Sequence, residues 1–216
     1  MYTHNHSWSD AEIVKLKRQG FRLFSHAVDH DVQAFMVTNY QKFKSSRDWR
    51  MYNLYGTVRY ATKNIPIVED YCARMKKEMN YEVCEHYILY YGPGSYTKMH
   101  QDPKGCLSYI TLLDVLPNTV GGDTIVNVDD YVPKALSDEM HITQDQYDSV
   151  SKKQNIIMQN IIPTVVPHER FQTAAYPPGR QHGVTKVQSG GRLVFVQWFF
   201  KTEKERASYK REAEKV

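Results

Sequence analysis

Cysteine is scarce: Cys72, Cys84 and Cys106 are the three among 216 residues. Their number is odd and no two stand in a CxxC spacing, so neither a disulfide framework nor a zinc knuckle is expected, and the thiols read as reduced. Long apolar runs are missing too. No stretch reaches the roughly eighteen apolar residues that a membrane-spanning helix requires, and the N-terminus shows no signal-peptide pattern. A reducing, cytoplasmic compartment is the expectation. Charge of one sign is also lacking: 28 Lys and Arg against 24 Asp and Glu leave +4, which permits a nucleic-acid or acidic partner without arguing for one. No phosphate loop follows Gly92-Pro93-Gly94, and Gln172 stands where a zinc protease opening at His168-Glu169 would place its second histidine. What remains is an ordinary globular composition, 41% hydrophobic and 24% charged, on a chain long enough for one domain with a proper core.

The first eighty residues read as supporting helices. Residues 1–9 form a polar tail carrying His4 and His6, read as a frayed terminus. Ser9-Asp10 caps a helix over 11–19 that Gly20 ends, and 21–24 alternates like a short strand. His26, Asp29, His30 and Asp31 offer two readings. Two histidines at i, i+4 on a helix can bind metal, but Asp29 and Asp31 ahead of Val32, Phe35, Met36, Tyr40 and Phe43 look like an N-cap and acidic first turn, the preferred reading. Residues 42–59 mix Lys42, Lys44, Arg47, Arg50 and Arg59 with Trp49, Tyr52 and Tyr55. That is one signature of a groove for single-stranded nucleic acid or an extended peptide, although a solvated loop with tucked aromatics is preferred. Pro66 opens a helix with a one-sided stripe, Ile67, Val68, Tyr71, Cys72, Met75 and Met79.

From residue 81 the period changes to that of strands. Segments 81–91, 96–102, 107–115, 123–128, 164–166, 171–176, 182–187 and 193–200 are separated by Gly, Pro and Asn, which argues for a two-sheet jelly roll or barrel with flanking helices. Residues 131–162 are too long for a plain connection and read as an insert near the site mouth. Residues 201–216 read as a charged terminal helix.

One constellation carries chemistry. If 96–102 is a strand, His100 and Asp102 share a face at i, i+2. With His182 from a neighbouring strand they offer two imidazoles and a carboxylate to one metal ion. That set suits non-haem Fe(II), since it leaves one side of the ion open, whereas a structural zinc site closes all four positions. Ser189-Gly190-Gly191 can turn the chain so that Arg192 begins a strand beside His182, its guanidinium fork suited to a carboxylate. Lys186 is a weaker candidate for that role. Tyr90 and Tyr91 face opposite sides of their strand, so one alone can reach the site, while Tyr96 and Trp198 read as core.

With Tyr91-Gly92-Pro93-Gly94 leading to His100-Gln101-Asp102, then Gly121-Gly122-Asp123-Thr124, then His182-Gly183-Val184 and Arg192, the chain resembles the 2-oxoglutarate/Fe(II) dioxygenases, and among them the prolyl 4-hydroxylase group. The resemblance covers about residues 82–200. It implies a double-stranded β-helix in a single domain, with His100, Asp102 and His182 as iron ligands. Arg192 would hold the distal carboxylate of 2-oxoglutarate with Tyr91 or Tyr90 as hydroxyl partner. Fe(II), 2-oxoglutarate and O2 are the implied cofactors, with ascorbate a further candidate. Collagen-type members carry lysine more often at the Arg192 position, and oxygen-sensing ones arginine.

The leading expectation is hydroxylation of a prolyl residue in a peptide or protein, 2-oxoglutarate being decarboxylated to succinate. Trp49, Tyr52 and Tyr55, with the insert, would form the groove for an extended chain. Oxidative demethylation of nucleic acid ranks lower, because members with that activity resemble one another in a second arginine six residues past the anchor, where this chain has Trp198. Hydroxylation of a free amino acid or small molecule is a third reading, and a barrel that binds without turnover the fourth.

Overall fold

The computed structural model describes residues 20–25, 27–45, 50–51, 56–103, 105–127 and 163–213. The expected helix at 11–19, His4, His6 and His26, the aromatic trio Trp49, Tyr52 and Tyr55, and the insert at 131–162 lie outside the described residues.

Two antiparallel sheets face each other. The larger has seven strands in the order β1 (Arg22–Ser25), β9 (Gln172–Tyr176), β6 (Leu107–Val115), β11 (Arg192–Phe200), β4 (Val83–Tyr91), β3 (Val58–Ala61) and β2 (Arg50–Met51). The smaller runs β5 (Thr97–Gln101), β10 (Gln181–Val184), β7 (Thr124–Asn127) and β8 (Pro163–Val165). Strands β11 and β6 are nearly continuous apolar runs because both faces of the central strands are covered. Leu193, Phe195 and Phe199 pack against the helices with Ile88 and Tyr109. Val194 and Val196 point the other way, onto Val184 and Val187 of the small-sheet layer. Strand parity thus separates a structural face from an interior face.

Helix α1 (His30–Ser45) begins where the acidic residues suggest. The Asp29 carbonyl accepts the Gln33 N–H at 2.9 Å, while the Asp29 carboxylate pairs with Arg74 of α2 (Pro66–Glu78). Pro66 opens α2, whose buried stripe includes Val68, Tyr71, Cys72 and Met75. Asn80 ends it at φ +57°, with Tyr81 N–H donating to the Lys76 carbonyl and Asn80 N–H to the Lys77 carbonyl, a Schellman closure using asparagine in place of glycine. Helix α3 (Glu203–Ala213) follows β11 and is tied to β4 by the Arg206–Glu85 pair. The three cysteines are free thiols.

Two expectations need correction. Besides the short strand expected at 21–24, which is β1 at one edge of the large sheet, the first eighty residues supply β3 and β2, which extend the other edge. And β11 does not lie beside β10. Arg192 and His182 sit in different sheets.

His86 is buried on the helix side of β4, with Nδ1 2.7 Å from the Thr62 hydroxyl and Nε2 3.5 Å from Glu69. Burial outweighs Glu69 and lowers its pKa below the ordinary 6.5. The unfolded chain therefore binds a proton on this group at a pH where the folded one does not, so its contribution to stability is present above 6.5 and lost as pH falls below it. Urea unfolding at pH 7 and pH 5 should show the stability gap between wild type and His86→Gln shrinking at the lower pH. A pH-independent gap would contradict this reading.

Candidate metal centre

The turn at Gly92-Pro93-Gly94 carries the chain from the large sheet into the small one, with Ser95 N–H closing onto the Gly92 carbonyl at 3.0 Å. Strand β5 then pairs with β10 so that His100 lies directly opposite His182. The register shifts just after His182. Gly183 makes this possible, since a Cβ there would stand 2.8 Å from the Thr97 carbonyl oxygen and 3.2 Å from Lys98 backbone atoms. A side chain at 183 would push β5 away and separate the two imidazoles.

Among the described residues, His100, Asp102 and His182 are the one group of three potential metal donors, their ligand atoms all within 4.8 Å of one another. His182 Nε2 lies 3.4 Å from Asp102 Oδ2, and His100 Nε2 lies 3.6 Å from Oδ1. Each ring's other nitrogen faces a carbonyl two residues back in the chain, Lys98 for His100 at 2.9 Å and Arg180 for His182 at 3.1 Å. A carbonyl can only accept, so each Nδ1 carries a proton, and Nε2 is the nitrogen that each ring presents to Asp102.

Burial works to raise the Asp102 carboxyl, but His182, His100 and the Ser108 hydroxyl overcome it and hold it at about 2. The carboxylate is therefore ionised. Oδ2 is nonetheless buried without a hydrogen-bond partner. Burial also pulls both imidazoles down; Asp102 overcomes this at His100, whose pKa is raised, and not at His182, whose pKa is lowered. Ligand bonds of about 2.1 Å at right angles would set neighbouring donors about 3 Å apart, so the two imidazole–carboxylate pairs, at 3.4 and 3.6 Å, stand only slightly wider than a shared cation sets them. Two imidazoles, one carboxylate and an orphaned buried oxygen fit a divalent ion of the iron type.

Arg192 begins β11 on the interior face, 5% exposed. Its terminal nitrogens donate to the Gly122 carbonyl and, at 3.0 Å, to the Thr124 hydroxyl, while Nε is buried without a partner. Gly122 has φ +76°, and a Cβ there would come within 3.3 Å of the Arg192 side chain, so Gly121-Gly122 forms the shelf under the guanidinium. Among the described residues no carboxylate pairs with it. Burial lowers its pKa, and Tyr91, Tyr176 and the more distant Asp123 charge partly offset that. A buried cation with neutral hydrogen-bond partners alone is costly, several kcal/mol in order of magnitude, unless an anion joins it.

The two tyrosines separate as their alternation requires. Tyr91 lies on the interior face, its hydroxyl 3.0 Å from the Thr97 hydroxyl and its ring 5.7 Å from the Arg192 guanidinium. Tyr90 points to the helix side, packs against that core and covers Gly191, so it does not reach the site. Lys186 is exposed and is excluded as a buried anchor. Trp198 is half-buried, edge-on to Tyr87 with centroids 5.3 Å apart, and stands opposite Ser108 in the sheet.

Two residues escape a motif-based reading. Tyr176 stacks flat on His182, centroids 4.6 Å and planes 2° apart, with its hydroxyl buried and unpartnered. His168 Nε2 donates to the Gln172 carbonyl at 2.7 Å, leaving Nδ1 buried without a partner. Burial and the Arg192 charge push its pKa down to about 4, so it is neutral at physiological pH. Strand parity from Gln172 would have placed Tyr176 on the inner face. No signal marks His168.

No protein-family model matches the chain, and no curated protein matches it by sequence. Solved structures do. A prolyl-4-hydroxylase from Pseudomonas putida matches with a TM-score of 0.61 at 13% identity, over 89% of this chain and 98% of that one. A prolyl hydroxylase from Trichoplax adhaerens, in complex with a hypoxia inducible factor oxygen degradation domain peptide fragment, gives 0.59 at 13%, over 90% and 89%. HygX from Streptomyces hygroscopicus, with nickel, 2-oxoglutarate and hygromycin B bound, gives 0.59 at 11%, over 90% and 88%. At these identities the likeness is one of fold.

Removing the carboxylate should release the ion without unfolding the chain. Asp102→Ala is expected to lose Mn(II) retention in equilibrium dialysis while its far-UV circular dichroism matches wild type. Undiminished Mn(II) binding would take Asp102 out of the site.

Proposed function

We propose, for a chain that has the fold of the 2-oxoglutarate-dependent non-haem oxygenases, that it is an Fe(II)- and 2-oxoglutarate-dependent dioxygenase hydroxylating a prolyl residue in a peptide or protein. The observation that carries the oxygenase reading is the pairing of two deficits in one interior. Among the described residues, Asp102 Oδ2 has no hydrogen-bond partner and no carboxylate pairs with Arg192. A metal ion answers the first, and a dicarboxylate reaching from that ion to the guanidinium answers the second.

His100, Asp102 and His182 would hold Fe(II) through three donors on one side, leaving positions for a bidentate 2-oxo acid and dioxygen. The bound iron supplies the redox chemistry that converts 2-oxoglutarate to succinate and CO2 while oxygen is inserted into the substrate. The chain's own residues bind, orient and shield. Arg192 fixes the distal carboxylate, and the Tyr91 ring packs beside that guanidinium. Leu112, Val184, Val194 and Val196 keep water from the interior, which strengthens each charged contact there. The two carbonyls that hold the imidazole Nδ1 protons keep both Nε2 lone pairs available. Ascorbate rests on the sequence resemblance alone.

The prolyl assignment draws on the two prolyl hydroxylases among the similar structures, one of them holding a peptide. It draws also on an aromatic wall beside the metal site. Trp198 faces Ser108, whose hydroxyl helps hold down Asp102, and Tyr87 stands edge-on to Trp198 with the Arg59 guanidinium 3.7 Å above its ring. Aromatic walls suit the compact, conformationally fixed ring of a proline in an extended peptide. The bound hygromycin B of HygX favours a second reading, hydroxylation of a small molecule.

Purified protein with Fe(II), 2-oxoglutarate and proline-rich peptides should yield succinate and a peptide one oxygen heavier, the oxygen on proline. Succinate formed with small-molecule acceptors and never with peptides would select the second reading, and no succinate with any acceptor would remove both. In the same assay Arg192→Ala should raise the 2-oxoglutarate concentration for half-maximal rate at least about tenfold, as expected for loss of a hydrogen-bonded charge pair. An unchanged requirement would move the anchor elsewhere.

A further inference from the structure

Tyr176 closes β9 on the interior face, opposite Ser108 of β6. Its ring lies parallel on the His182 imidazole, and the residue is 1% exposed. A phenol buried this deeply ordinarily finds a hydrogen-bond partner. Among the described residues its hydroxyl has none. The nearby Arg192 Nε–H is in the same condition.

The chemistry of these two orphans points one way. Guanidinium N–H can only donate, and a neutral phenol donates readily. The parallel stack on His182 sets the phenol directly against one of the three metal-donor residues. His168 does not compete as a donor, since its free Nδ1 is an acceptor. Two buried donors, the Tyr176 O–H and the Arg192 Nε–H, thus have no acceptor among the described residues.

We propose that the Tyr176 hydroxyl donates a hydrogen bond to a carboxylate oxygen of 2-oxoglutarate, making Tyr176 a second binding residue for the co-substrate alongside Arg192. This rests on the oxygenase reading above. The stacked ring has a separate duty, holding the His182 plane in place, so ring and hydroxyl can be tested apart.

Tyr176→Phe keeps the ring and removes the oxygen. Isothermal titration of 2-oxoglutarate into Mn(II)-loaded protein, without oxygen chemistry, should show affinity weakened about tenfold or more in the variant, the usual scale for a hydrogen bond to a charged group. Affinity for Mn(II) alone should stay within about twofold of wild type, since the variant's phenyl ring would still stack on the imidazole. Equal 2-oxoglutarate affinity in the two proteins overturns the assignment, and so does a variant that loses Mn(II), because the hydroxyl would then be acting through the ligand cage. If the Mn(II)-loaded wild type binds no 2-oxoglutarate, the oxygenase reading itself falls, an outcome distinct from the other two.

Discussion

The structure depends on an ionised carboxylate held almost entirely out of water. Asp102 sits between two imidazoles at the junction of β5 and β10, its side chain 8% exposed and one oxygen without a partner. Burial of such a group is unfavourable unless its charge is met, and the imidazoles meet it only in part. Everything around it serves that placement. The opposed registers of β5 and β10 bring the rings together, Gly183 lets the strands approach, and two backbone carbonyls fix both tautomers. A divalent ion would satisfy what the protein leaves open.

The second constraint lies across the interior. Arg192 is as deeply buried as Asp102 and carries the opposite charge, yet the two are not partners. A sandwich interior with a fixed anion at one end and a fixed cation at the other is preorganised for a ligand with matching ends, because both penalties are incurred on folding and relieved on binding. The alternation of β11 puts this polar interior back to back with the apolar face under α1 and α2. The helices support the sheet from behind without entering the site.

Much of this was legible in the residues. The apolar runs of β6 and β11, the helix opened by Pro66, and the i, i+2 spacing of His100 and Asp102 each follow from a period or a breaker that local chemistry imposes. The turn glycines mark where the chain changes sheet. What was not legible depended on pairing. Val58–Ala61 becomes a strand through its ladder with β4, although Arg59 and its basic neighbours read as solvated loop. The sheet that holds Arg192 is settled by partners from β6 and β4, and no local signal reports it. Tyr176, in an unremarkable Ala-Ala-Tyr-Pro run, gains meaning only when its ring meets His182.

The account is tested most directly by a crystal structure of the protein soaked with Mn(II) and an unreactive 2-oxoglutarate analogue. It predicts one ion bound by Nε2 of His100, a carboxylate oxygen of Asp102 and Nε2 of His182, with the distal carboxylate of the analogue on the Arg192 guanidinium. An ion bound elsewhere, or an analogue that leaves Arg192 without an anion, would contradict it.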